Sequence, residues 1–482
     1  MADKKFYITT PIFYPNAKLH LGHAYTTTLS DILVRYHRLV GEDTYFLTGS
    51  DENTQKMVDS ARKEGKEPLQ FLDEIVGKFS SLFKELDISY DQFIRTTDQT
   101  KHWRGATALW QKLVDAGDIY KKQYEGLYCT GHEAFITEKD LVDGKCPDHG
   151  TVPEFIKEEN YFFRLSKYTK PIKEKIESGE LRVVPESRKN EILSLLSEGL
   201  QDVSFSRPRK ADWPAGLGVP VPGDSSQVMY VWCDALSNYI TALGYGTEDD
   251  ALYNEFWATN EQRMHVIGKD ILRFHAAIWP GMLLSAGLPL PKTLLVHGFI
   301  TSGGKKMSKT LGNVIDPEEL LAEYGTEAVR YYLARHITPF DDGDITREHF
   351  KEVYNANLAN GLGNLVARIM KLAEDNLPEG TRPEVASFPK EFTDAMDAFE
   401  VNRALDFVFA RIGALDQTIT QTEPYKVVKT DPERGRELIK DLTQELYIIG
   451  RMLNPFMPET NKKIKEAIVA NKKPGNLFTR KD

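Results

Sequence analysis

The amino-acid sequence predicts a parallel α/β sheet domain that is followed by a bundle of helices. Up to about residue 300, short apolar strand patterns alternate with glycine-containing turns and helical stripes, which is typical of a parallel sheet. Beyond Glu348 the apolar residues recur every three or four positions, as they do in packed helices. The chain has 482 residues, which is more than one compact domain usually holds, so we expect several domains.

The first predicted elements are a strand, a loop and a helix. Strand-forming residues alternate over 5–10, and Pro11 ends that strand. No proline occurs from residue 20 to residue 40, and apolar residues there recur at helical spacing. A second strand, predicted over 44–48, leads into Gly49, where a turn should start the next helix.

Residues 119–209 break this rhythm and are predicted to form an insertion in the sheet domain. The strand pattern resumes over 229–233, 264–267 and 293–300. Glycines then lead into a loop that contains lysines. We expect this loop to be mobile because glycine relaxes the backbone.

Three apolar stripes predict the helices of the C-terminal bundle. Residues 376–390 are rich in Pro, Glu and Gly and predict a linker between bundle helices. The stripes are Leu358, Leu362, Leu365, Ile369 and Leu372; Val401, Leu405, Val408, Ile412, Leu415 and Ile419; and Leu438, Leu442, Leu446, Ile449 and Leu453.

Composition excludes several classes of protein. Hydrophobic residues make up 41% and charged residues 27%, as in ordinary globular proteins. No run of 18 apolar residues occurs, so we expect no membrane span. Three cysteines are too few for a disulfide framework and suit a reducing cytosol, so we expect a cytoplasmic protein.

The net charge of −10 argues against a protein that coats nucleic acid over its whole surface. A local basic face is compatible with this net charge, because salt screens the electrostatic field of the protein beyond about 10 Å. Residues 461–482 hold seven Lys and Arg against two acidic residues. This stretch is either a solvated helix end or a surface that contacts phosphates.

Two histidines, His20 and His23, flank Gly22 shortly after the first predicted strand. An imidazole pair at a helix N-terminus adds hydrogen-bond donors to the exposed backbone N–H groups, which suits charge building up on a phosphate. Gly22 lacks a side chain, so an adenine ring can approach the backbone closely. For either histidine alone, a surface position without a binding role is the alternative interpretation.

A second motif lies past the middle of the chain, where Lys306 and Lys309 flank Met307 and Ser308. Two ammonium groups on a flexible loop can close over the β- and γ-phosphates of a nucleoside triphosphate and stabilise a transition state. The alternative is a solvated lysine-rich face.

Together, the two motifs resemble the nucleotide-binding signatures of class I aminoacyl-tRNA synthetases. The runs at 9–17, 49–56, 230–235 and 265–270 are similar to those of the methionyl-tRNA synthetase family, and the similarity covers essentially the whole chain. It implies a Rossmann-type catalytic domain with an inserted connective-peptide domain, a stem-contact fold and an α-helical anticodon-binding domain. The expected bounds are 1–118 and 210–300 for the catalytic domain, 119–209 for the connective peptide, 301–348 for the lysine loop and stem-contact fold, and 349–482 for the anticodon-binding domain.

The resemblance implies roles for individual residues. Asp51 matches the residue that takes the α-ammonium group of the amino acid, although a helix cap is an equal interpretation of this carboxylate. Polarizable aromatic walls suit an unbranched thioether, and Leu236 stands where some relatives carry proline. The other matching residues are His20, His23, Lys306 and Lys309 for catalysis; Gly22, Gly268, Asp270 and Lys309 for ATP; and Ile12, Tyr14, Trp232, Ala235, Tyr239, Ile271, Phe274 and His275 for methionine.

Two Cys–His pairs lie within residues 125–152: Cys129 with His132, and Cys146 with His149. This spacing suits a tetrahedral zinc knuckle. Relatives with a single knuckle usually carry cysteine in place of His132, and some have lost the metal. We therefore expect one structural Zn²⁺, with a metal-free knuckle held by packing as the alternative.

In the expected anticodon-binding domain, Asn364 and Arg368 are four residues apart and share one helix face. They match the asparagine and arginine with which the family recognises the anticodon, and their side chains can read the edges of unstacked bases. Tyr425 stands where the family carries a stacking tryptophan, and a tyrosine ring can also stack on a base.

The resemblance implies ATP-dependent activation of L-methionine to methionyl-adenylate and its transfer to tRNA(Met), including the initiator tRNA. Mg²⁺ should accompany ATP, and we expect a monomer. Three rivals stay open: a synthetase for another apolar amino acid, a non-catalytic tRNA-binding paralogue and a plain nucleotidyltransferase. The absence of a large editing insert, the intact motifs and the helical C-terminal part, respectively, count against them.

Overall fold

The computed structural model describes residues 4–129, 134–147, 150–211, 213–307, 313–380 and 383–482. Within these residues, the centre is a six-stranded sheet in which all neighbouring strands are parallel. Its strands are β1 (Lys5–Thr9), β2 (Asp43–Ser50), β3 (Gln92–Arg95), β4 (Arg182–Val184), β5 (Arg263–Gly268) and β6 (Thr293–His297). They lie in the order β3-β2-β1-β5-β6-β4, which confirms the predicted parallel α/β sheet.

The strand order reverses at β1, which lies between β2 and β5. Phe6 and Ile8 pack into one apolar core and Tyr7 into another, because successive side chains of a strand point to opposite faces. Both faces of the sheet are therefore covered, as is usual for parallel sheets. In such sheets, ligands bind in the crevice at the carboxyl ends of the strands where the order reverses.

Helices cover the sheet and build the C-terminal part. Those that position the site and form the bundle are α1 (Leu21–Leu39), α2 (Val231–Thr241), α3 (Thr326–Arg335), α4 (Asn364–Asn376), α5 (Val401–Thr422), α6 (Pro432–Leu453) and α7 (Pro458–Ala470). Further α-helices are Gln55–Lys63, Pro68–Glu85, His102–Asp115, Thr169–Glu177, Glu186–Glu198, Ala251–Tyr253, Trp279–Ala286, Pro317–Tyr324, Arg347–Val353, Lys390–Asp397 and Pro424–Thr430. π-helical turns span Asn254–Ala258, Phe274–Ile278 and Tyr354–Gly363, and 3₁₀ turns span Glu138–Asp140, Leu165–Tyr168 and Lys269–Ile271.

The predicted insertion contains an antiparallel sheet of its own. Its strands, in spatial order, are Ala134–Ile136, Ile119–Cys129, Glu154–Phe163 and Val203–Ser204. The range 119–209 is nevertheless not wholly separate from the sheet domain, because β4 lies inside this range and pairs in parallel with β6. Leu181 and Val183 bury their side chains in the core of the sheet domain, which explains why this short segment joins it.

Two smaller sheets flank the site. One contains Ser206–Pro208, Pro220–Val221 and Asp224–Met229, and the other contains Ile300–Ser302, Lys305–Lys306 and Gly343–Asp344. The second of these sheets carries the start of the lysine motif.

The predicted strand over 229–233 is wrong. The strand Asp224–Met229 belongs to an antiparallel sheet, and Val231 already begins α2. Almost every residue of α2 is buried, so its sequence shows no one-sided stripe. A short apolar run of this kind does not distinguish a buried strand from a buried helix. The predicted strand over 293–300 is shorter than expected, since β6 ends at His297.

The predicted helix bundle is confirmed. All six apolar residues of the stripe on α5 are buried, and α6 packs against both α4 and α5. The described residues between α4 and the helix Lys390–Asp397 form neither helix nor strand, as the composition of the linker predicts. Beyond α7 the chain returns along the bundle, where Asn355 exchanges hydrogen bonds of 2.8 and 2.9 Å with the backbone of Lys481.

A buried ion pair joins the sheet domain to the C-terminal helices. Asp31 on α1 and Arg330 on α3 have fully buried side chains, and Asp31 Oδ2 lies 2.7 Å from Arg330 Nη2. The guanidinium also donates to the carbonyl oxygens of Leu86, Pro455 and Phe456, at 2.9 to 3.0 Å. Three separate segments of the chain therefore meet at one side chain, as suits the planar, multidentate guanidinium.

The carboxylate of Asp31 is equally well partnered. It accepts from Arg35 Nε at 2.7 Å and from the backbone N–H of Ser89 at 2.7 Å. Burial alone raises the pKa of the Asp31 carboxyl, but the charges of Arg330 and Arg35, together with the hydrogen bonds from Ser89, hold the pKa below its ordinary value. Asp31 is therefore ionised at neutral pH.

Replacing Asp31 by asparagine should lower the free energy of unfolding by about 3–5 kcal/mol, because Arg330 then keeps a buried charge without its counter-charge. Urea unfolding followed by circular dichroism measures this loss. The matched control is Arg335→Gln, which removes a partly exposed ion pair with Asp406 and should cost about 1 kcal/mol or less. Equal losses in the two variants would contradict the importance of the buried pair.

Candidate active site

The predicted nucleotide and amino-acid residues of the sheet domain gather near the carboxyl ends of its strands. Ile12 follows β1, Asp51 follows β2, and Gly268 ends β5. Phe13 forms a parallel bridge with Ser50, which holds the loops after β1 and β2 side by side. This is the crevice at which open parallel sheets bind ligands.

His20 caps the N-terminus of α1. Its Nδ1 accepts from the backbone N–H of Gly22 at 3.1 Å, and Nδ1 of His23 accepts from the backbone N–H of His20 at 3.1 Å. This reciprocal pattern is a capping box made by two histidines. The imidazole rings stack with their centroids 3.7 Å apart. A Cβ on Gly22 would lie 2.9 Å from Cε1 of His20, so glycine also makes room for this ring.

These hydrogen bonds fix where each ring carries its hydrogen. Because each Nδ1 accepts from a backbone N–H, each neutral imidazole is protonated on Nε2. Loss of hydration lowers the pKa of His20, and burial lowers the pKa of His23 well below its ordinary value, with smaller contributions from His20 and His297. Two neutral Nε2–H donors therefore stand at a helix N-terminus, where an anion is favoured.

A third histidine, His297 at the end of β6, supports the same turn and is not among the predicted residues. Its Nδ1 is 2.8 Å from the carbonyl oxygen of Gly298, so Nδ1 carries the hydrogen and Nε2 accepts from Thr26 Oγ1 at 2.7 Å. Thr26 Oγ1 also lies 3.0 Å from the carbonyl oxygen of Gly22. Burial lowers the pKa of His297 to about 4, so the ring is neutral. The sequence signal was a histidine that ends a strand and precedes a glycine.

Gly268 and Asp270 lie at the end of β5 and just beyond it. Asp270 is exposed, and a Cβ on Gly268 would lie 2.6 Å from its Oδ1. The same Cβ would lie 3.8 Å from Cε1 of His297. Glycine therefore lets the carboxylate of Asp270 fold back over the strand end, on the side of His297.

The first lysine of the lysine motif lies next to this edge of the sheet. Lys306 is exposed, and its Nζ is 5.9 Å from the ring centroid of Phe299, the second residue after β6. Lys269, directly after β5, approaches the same ring at 4.5 Å. Lys309 lies outside the described residues.

A second contact links the flanks of the two motifs. Lys18, two residues before His20, forms an ion pair with Glu318 at 2.6 Å. Glu318 is the second residue of the helix Pro317–Tyr324, which follows the lysine motif. The motifs, which are far apart in sequence, therefore have flanking residues in contact at one end of the sheet.

Asp51 is buried directly after β2. It does not cap the following helix, because the cap is Thr54, whose side chain accepts from the backbone N–H of Met57 at 3.3 Å. The helix-cap interpretation of Asp51 is therefore wrong. Its charge is close enough to Tyr239 to help raise the pKa of that phenol, although burial is the larger cause.

The residues that follow Asp51 hold its loop in place. Glu52 accepts from Arg95 Nε at 2.7 Å, and its backbone N–H donates to Thr96 Oγ1 at 2.8 Å. A Cβ on Gly49 would lie 2.2 Å from the carbonyl oxygen of Ile94, so only glycine allows β2 and β3 to approach so closely here. The backbone that carries Asp51 is thus fixed from both sides.

Two aromatic rings form a wall beside His275, which contacts Tyr239. Trp232 on α2 and Phe274 stack face to face, with centroids 3.8 Å apart and planes 7° apart. His275 meets Trp232 edge-on at 6.1 Å. Ile12, Tyr14, Trp232, Ile271 and Phe274 are partly buried and pack against the same apolar core.

Tyr239 and His275 form a neutral polar pair inside this wall. Nδ1 of His275 donates to the carbonyl oxygen of Ile271 at 2.9 Å, so Nε2 accepts from Tyr239 Oη at 2.7 Å. Burial lowers the pKa of His275 to about 4. Ala235, one turn before Tyr239 on α2, is buried and small. The predicted methionine-contacting residues therefore provide aromatic surface without a net charge.

The predicted anticodon residues lie together in the helical part of the chain. Asn364, Arg368 and Tyr425 line one open cavity of about 530 Å³. Arg368 forms an ion pair with Asp416 across this cavity. Tyr425 is 43% exposed, so part of the residue is accessible from solvent.

The predicted zinc ligands are described only in part. Cys129 ends the strand Ile119–Cys129, and both Cys129 and Cys146 are buried. His132 and His149 lie outside the described residues. In the part of the chain that the structure describes, no three His, Cys, Asp or Glu side chains form a metal-binding group. Zinc binding thus stays a prediction.

None of the helices within the described residues is both long enough and apolar enough to cross a membrane.

Comparison with known proteins identifies the family. The family model described as tRNA synthetases class I (M) matches residues 6–152 and 139–370. The methionine–tRNA ligase of Clostridium acetobutylicum is 45% identical, over 96% of this chain and 73% of that protein. The methionine–tRNA ligase of Brucella suis is 41% identical, over 98% of this chain and 94% of that protein.

Solved structures agree with the sequence comparison. Methionyl-tRNA synthetase of Mycobacterium tuberculosis in complex with methionyl-adenylate superposes with a TM-score of 0.87 at 35% identity, over 96% of this chain and 93% of that one. The apo form of the same enzyme gives a TM-score of 0.83 at 32% identity, over 100% and 99% of the two chains. The similarity therefore includes the insertion and the helical bundle as well as the sheet.

Proposed function

We propose that this chain, which belongs to the family of class I tRNA synthetases (M), is a methionine–tRNA ligase. One observation carries the proposal beyond family membership. Two imidazole Nε2–H donors at the N-terminus of α1 share the carboxyl edge of the sheet with an uncharged aromatic wall and the carboxylate of Asp51. A nucleotide phosphate and a zwitterionic amino acid with an apolar side chain fit these two halves.

In the first step, the carboxylate of methionine attacks the α-phosphorus of ATP in line, and pyrophosphate leaves. His20 and His23 donate from Nε2 to the phosphate oxygens as negative charge builds up, and the N-terminus of α1 adds its positive end. Lys306 and Lys309 bind the departing phosphates. No side chain needs to act as nucleophile, so positioning and electrostatics supply the acceleration.

Other groups orient the two substrates. Asp51 binds the α-ammonium group of methionine, and Asp270 binds the ribose of ATP at the end of β5, where Gly22 and Gly268 let the nucleotide approach the backbone. Magnesium, which accompanies ATP, supplies charge neutralisation when bound. In the second step the terminal ribose 2′-hydroxyl of tRNA(Met) attacks the carbonyl carbon of methionyl-adenylate, and AMP leaves.

Selectivity for methionine depends on shape and polarizability. The side chains that match methionine contacts offer stacked rings and the neutral Tyr239–His275 pair, which suit a thioether. A difference of about one methylene group between two substrates changes their binding free energies by roughly 1–3 kcal/mol. Selectivity at this level requires the aromatic wall to be rigid.

ATP–pyrophosphate exchange measured with each of the twenty amino acids tests the proposal. Methionine should support the fastest exchange. His23→Ala should lower the exchange rate by about 100- to 1,000-fold, because it removes a donor that is aimed at developing charge. Its thermal unfolding midpoint should change little.

The control for this experiment is His349→Ala, which truncates a half-exposed histidine on the helix Arg347–Val353 and should leave exchange unchanged. Faster exchange with leucine, isoleucine or valine than with methionine would overturn the assignment of the substrate. An unchanged rate in His23→Ala would remove this histidine from the mechanism.

The cavity in the helical part supports a second binding surface, for the anticodon. Asn364 and Arg368 project from one face of α4 into a cavity that also contains the accessible ring of Tyr425. Their amide and guanidinium groups suit base edges, and the tyrosine suits stacking. We assign these three residues to tRNA(Met) recognition, which includes the initiator tRNA.

Arg368→Ala should lower kcat/KM for aminoacylation of tRNA(Met) by about 5- to 150-fold, or roughly 1–3 kcal/mol, while ATP–pyrophosphate exchange stays at the wild-type rate. Arg403→Ala on α5 is the matched control, since it also removes an exposed ion pair from the bundle and should affect neither assay. Equal losses in both assays for Arg368→Ala would exclude a role confined to the anticodon.

We further propose that Cys129, His132, Cys146 and His149 hold one structural zinc ion. Two thiolates and two imidazoles are a donor set that zinc prefers, and the burial of both cysteines supports the assignment. We also propose a location in the cytoplasm, which the small number of cysteines supports, and a monomeric state.

Purified protein should contain about one equivalent of zinc, and Cys146→Ser should lose most of it because a neutral hydroxyl replaces a thiolate. Elemental analysis measures the metal. Cys233→Ser, which changes a buried cysteine on α2, should retain the zinc. A wild-type content below about one-tenth of an equivalent would favour the metal-free knuckle.

A further inference from the structure

A buried hydrogen-bond network lies behind the aromatic wall and has no part in the mechanism above. Asp234 on α2 is 1% exposed. Its Oδ1 accepts from Nε2 of His102 at 2.5 Å, and its Oδ2 accepts from Nδ2 of Asn53 at 2.7 Å. Both oxygens of one buried carboxylate are therefore held by N–H donors from two other parts of the sheet domain.

His102 contacts α2 at two points. This fully buried residue begins the helix His102–Asp115, and its Nδ1 lies 2.8 Å from Oγ1 of Thr241, the last residue of α2. Thr241 lies two helical turns beyond Asp234, so one imidazole bridges most of the length of α2. A Cβ on Gly105 would lie 2.4 Å from Thr241 Cγ2, which shows how closely the two helices pack.

Asn53 connects the same network to the loop of Asp51. Nδ2 of Asn53 also donates a hydrogen bond of 2.8 Å to the carbonyl oxygen of Thr96. Oδ1 of Asn53 accepts from the backbone N–H of Gly218 at 2.9 Å. The amide of Asn53 is therefore fully used. It lies two residues beyond Asp51, the proposed partner of the α-ammonium group.

The proposed function places the two ends of methionine on two different elements of the structure. Its ammonium group lies on the loop after β2, and its side chain lies against α2, which carries Trp232 and Tyr239. The bond between Asn53 and Asp234 directly connects these elements. A shift of about 1 Å between them would misplace one end of the substrate, and small misplacements are costly in rate or affinity.

We propose that Asn53, Asp234 and His102 are positioning residues that set the separation between the ammonium site and the aromatic wall, and that they thereby determine affinity and selectivity for methionine. This inference rests on the proposed function. All three side chains are buried, and none is assigned a contact with the substrate. They act by holding Asp51 and α2 in register.

The test compares two substitutions of His102. In His102→Asn the amide takes the position of Nδ1, so the bond to Thr241 is retained and the bond to Asp234 is lost. In His102→Gln the amide reaches the position of Nε2, so the bond to Asp234 is retained. In the exchange assay, His102→Asn should raise KM for methionine about tenfold, with KM for ATP and kcat within about twofold of wild type.

Selectivity supplies a second readout. His102→Asn should lower the preference for methionine over norleucine, in which a methylene replaces the sulfur, and His102→Gln should restore most of both properties. The matched control is Ser206→Ala, which removes a buried hydrogen bond of 2.7 Å to Gln227 in a flanking sheet. It should lower the unfolding midpoint without changing either KM.

Several outcomes would overturn the inference. Equal rises in KM for methionine and ATP, an unchanged KM in His102→Asn, or no rescue in His102→Gln would each indicate a purely structural network.

If the His102 variants do not fold, Thr241→Val should still raise KM for methionine about threefold and Thr241→Ser should not. An unchanged KM in Thr241→Val would then overturn it. Wild-type protein without methionine-dependent exchange would instead refute the proposed function itself.

Discussion

The ion pair between Asp31 and Arg330 is the constraint on which the rest of the arrangement depends. Asp31 lies on the helix that begins with the two imidazoles, and Arg330 lies on a helix of the C-terminal part. Because both charges are buried, neither can move away from its partner without a large loss of stability. The guanidinium also binds three backbone carbonyls. Helix α1 is thus held against both the sheet and the bundle that carries the cavity lined by Asn364, Arg368 and Tyr425.

A fixed α1 gives its N-terminus a defined chemistry. Backbone N–H groups occupy Nδ1 of His20 and His23, so both rings present Nε2–H as neutral donors. His297 supports the turn through Thr26 and is neutral as well, because burial lowers its pKa to about 4. In the proposed mechanism, formal positive charge comes instead from the lysine motif, of which Lys306 is exposed. The proposed site thus combines rigid neutral donors at the N-terminus of α1 with charged lysine groups, and the rigid donors need no rearrangement as charge develops.

Sequence patterns predicted the parts of the fold that have one exposed face. The bundle helices show regular apolar stripes, and their buried residues follow those stripes. The buried helix α2 shows no stripe, and its first residues were predicted as a strand for that reason. The strand Arg182–Val184, inside the predicted insertion, was not predicted, because three residues are too few to show the two-residue periodicity of a strand. Neither His102 nor His297 lies in a predicted motif, and the role of His102 could be seen only from its partners.

The sequence by itself determined the order of the elements, the helix start at His20, the spacing of Asn364 and Arg368 on one face and, through family resemblance, the chemistry of the site. Those features depend on neighbours within a few residues, which local periodicity records. Only the tertiary structure decided that Arg330 pairs with Asp31, that His297 supports the first turn of α1 through Thr26, and that the buried carboxylate of Asp234 connects Asn53 to His102. Each of these depends on contacts between residues that are brought together only by packing, and the energy of a buried polar group is set by such partners.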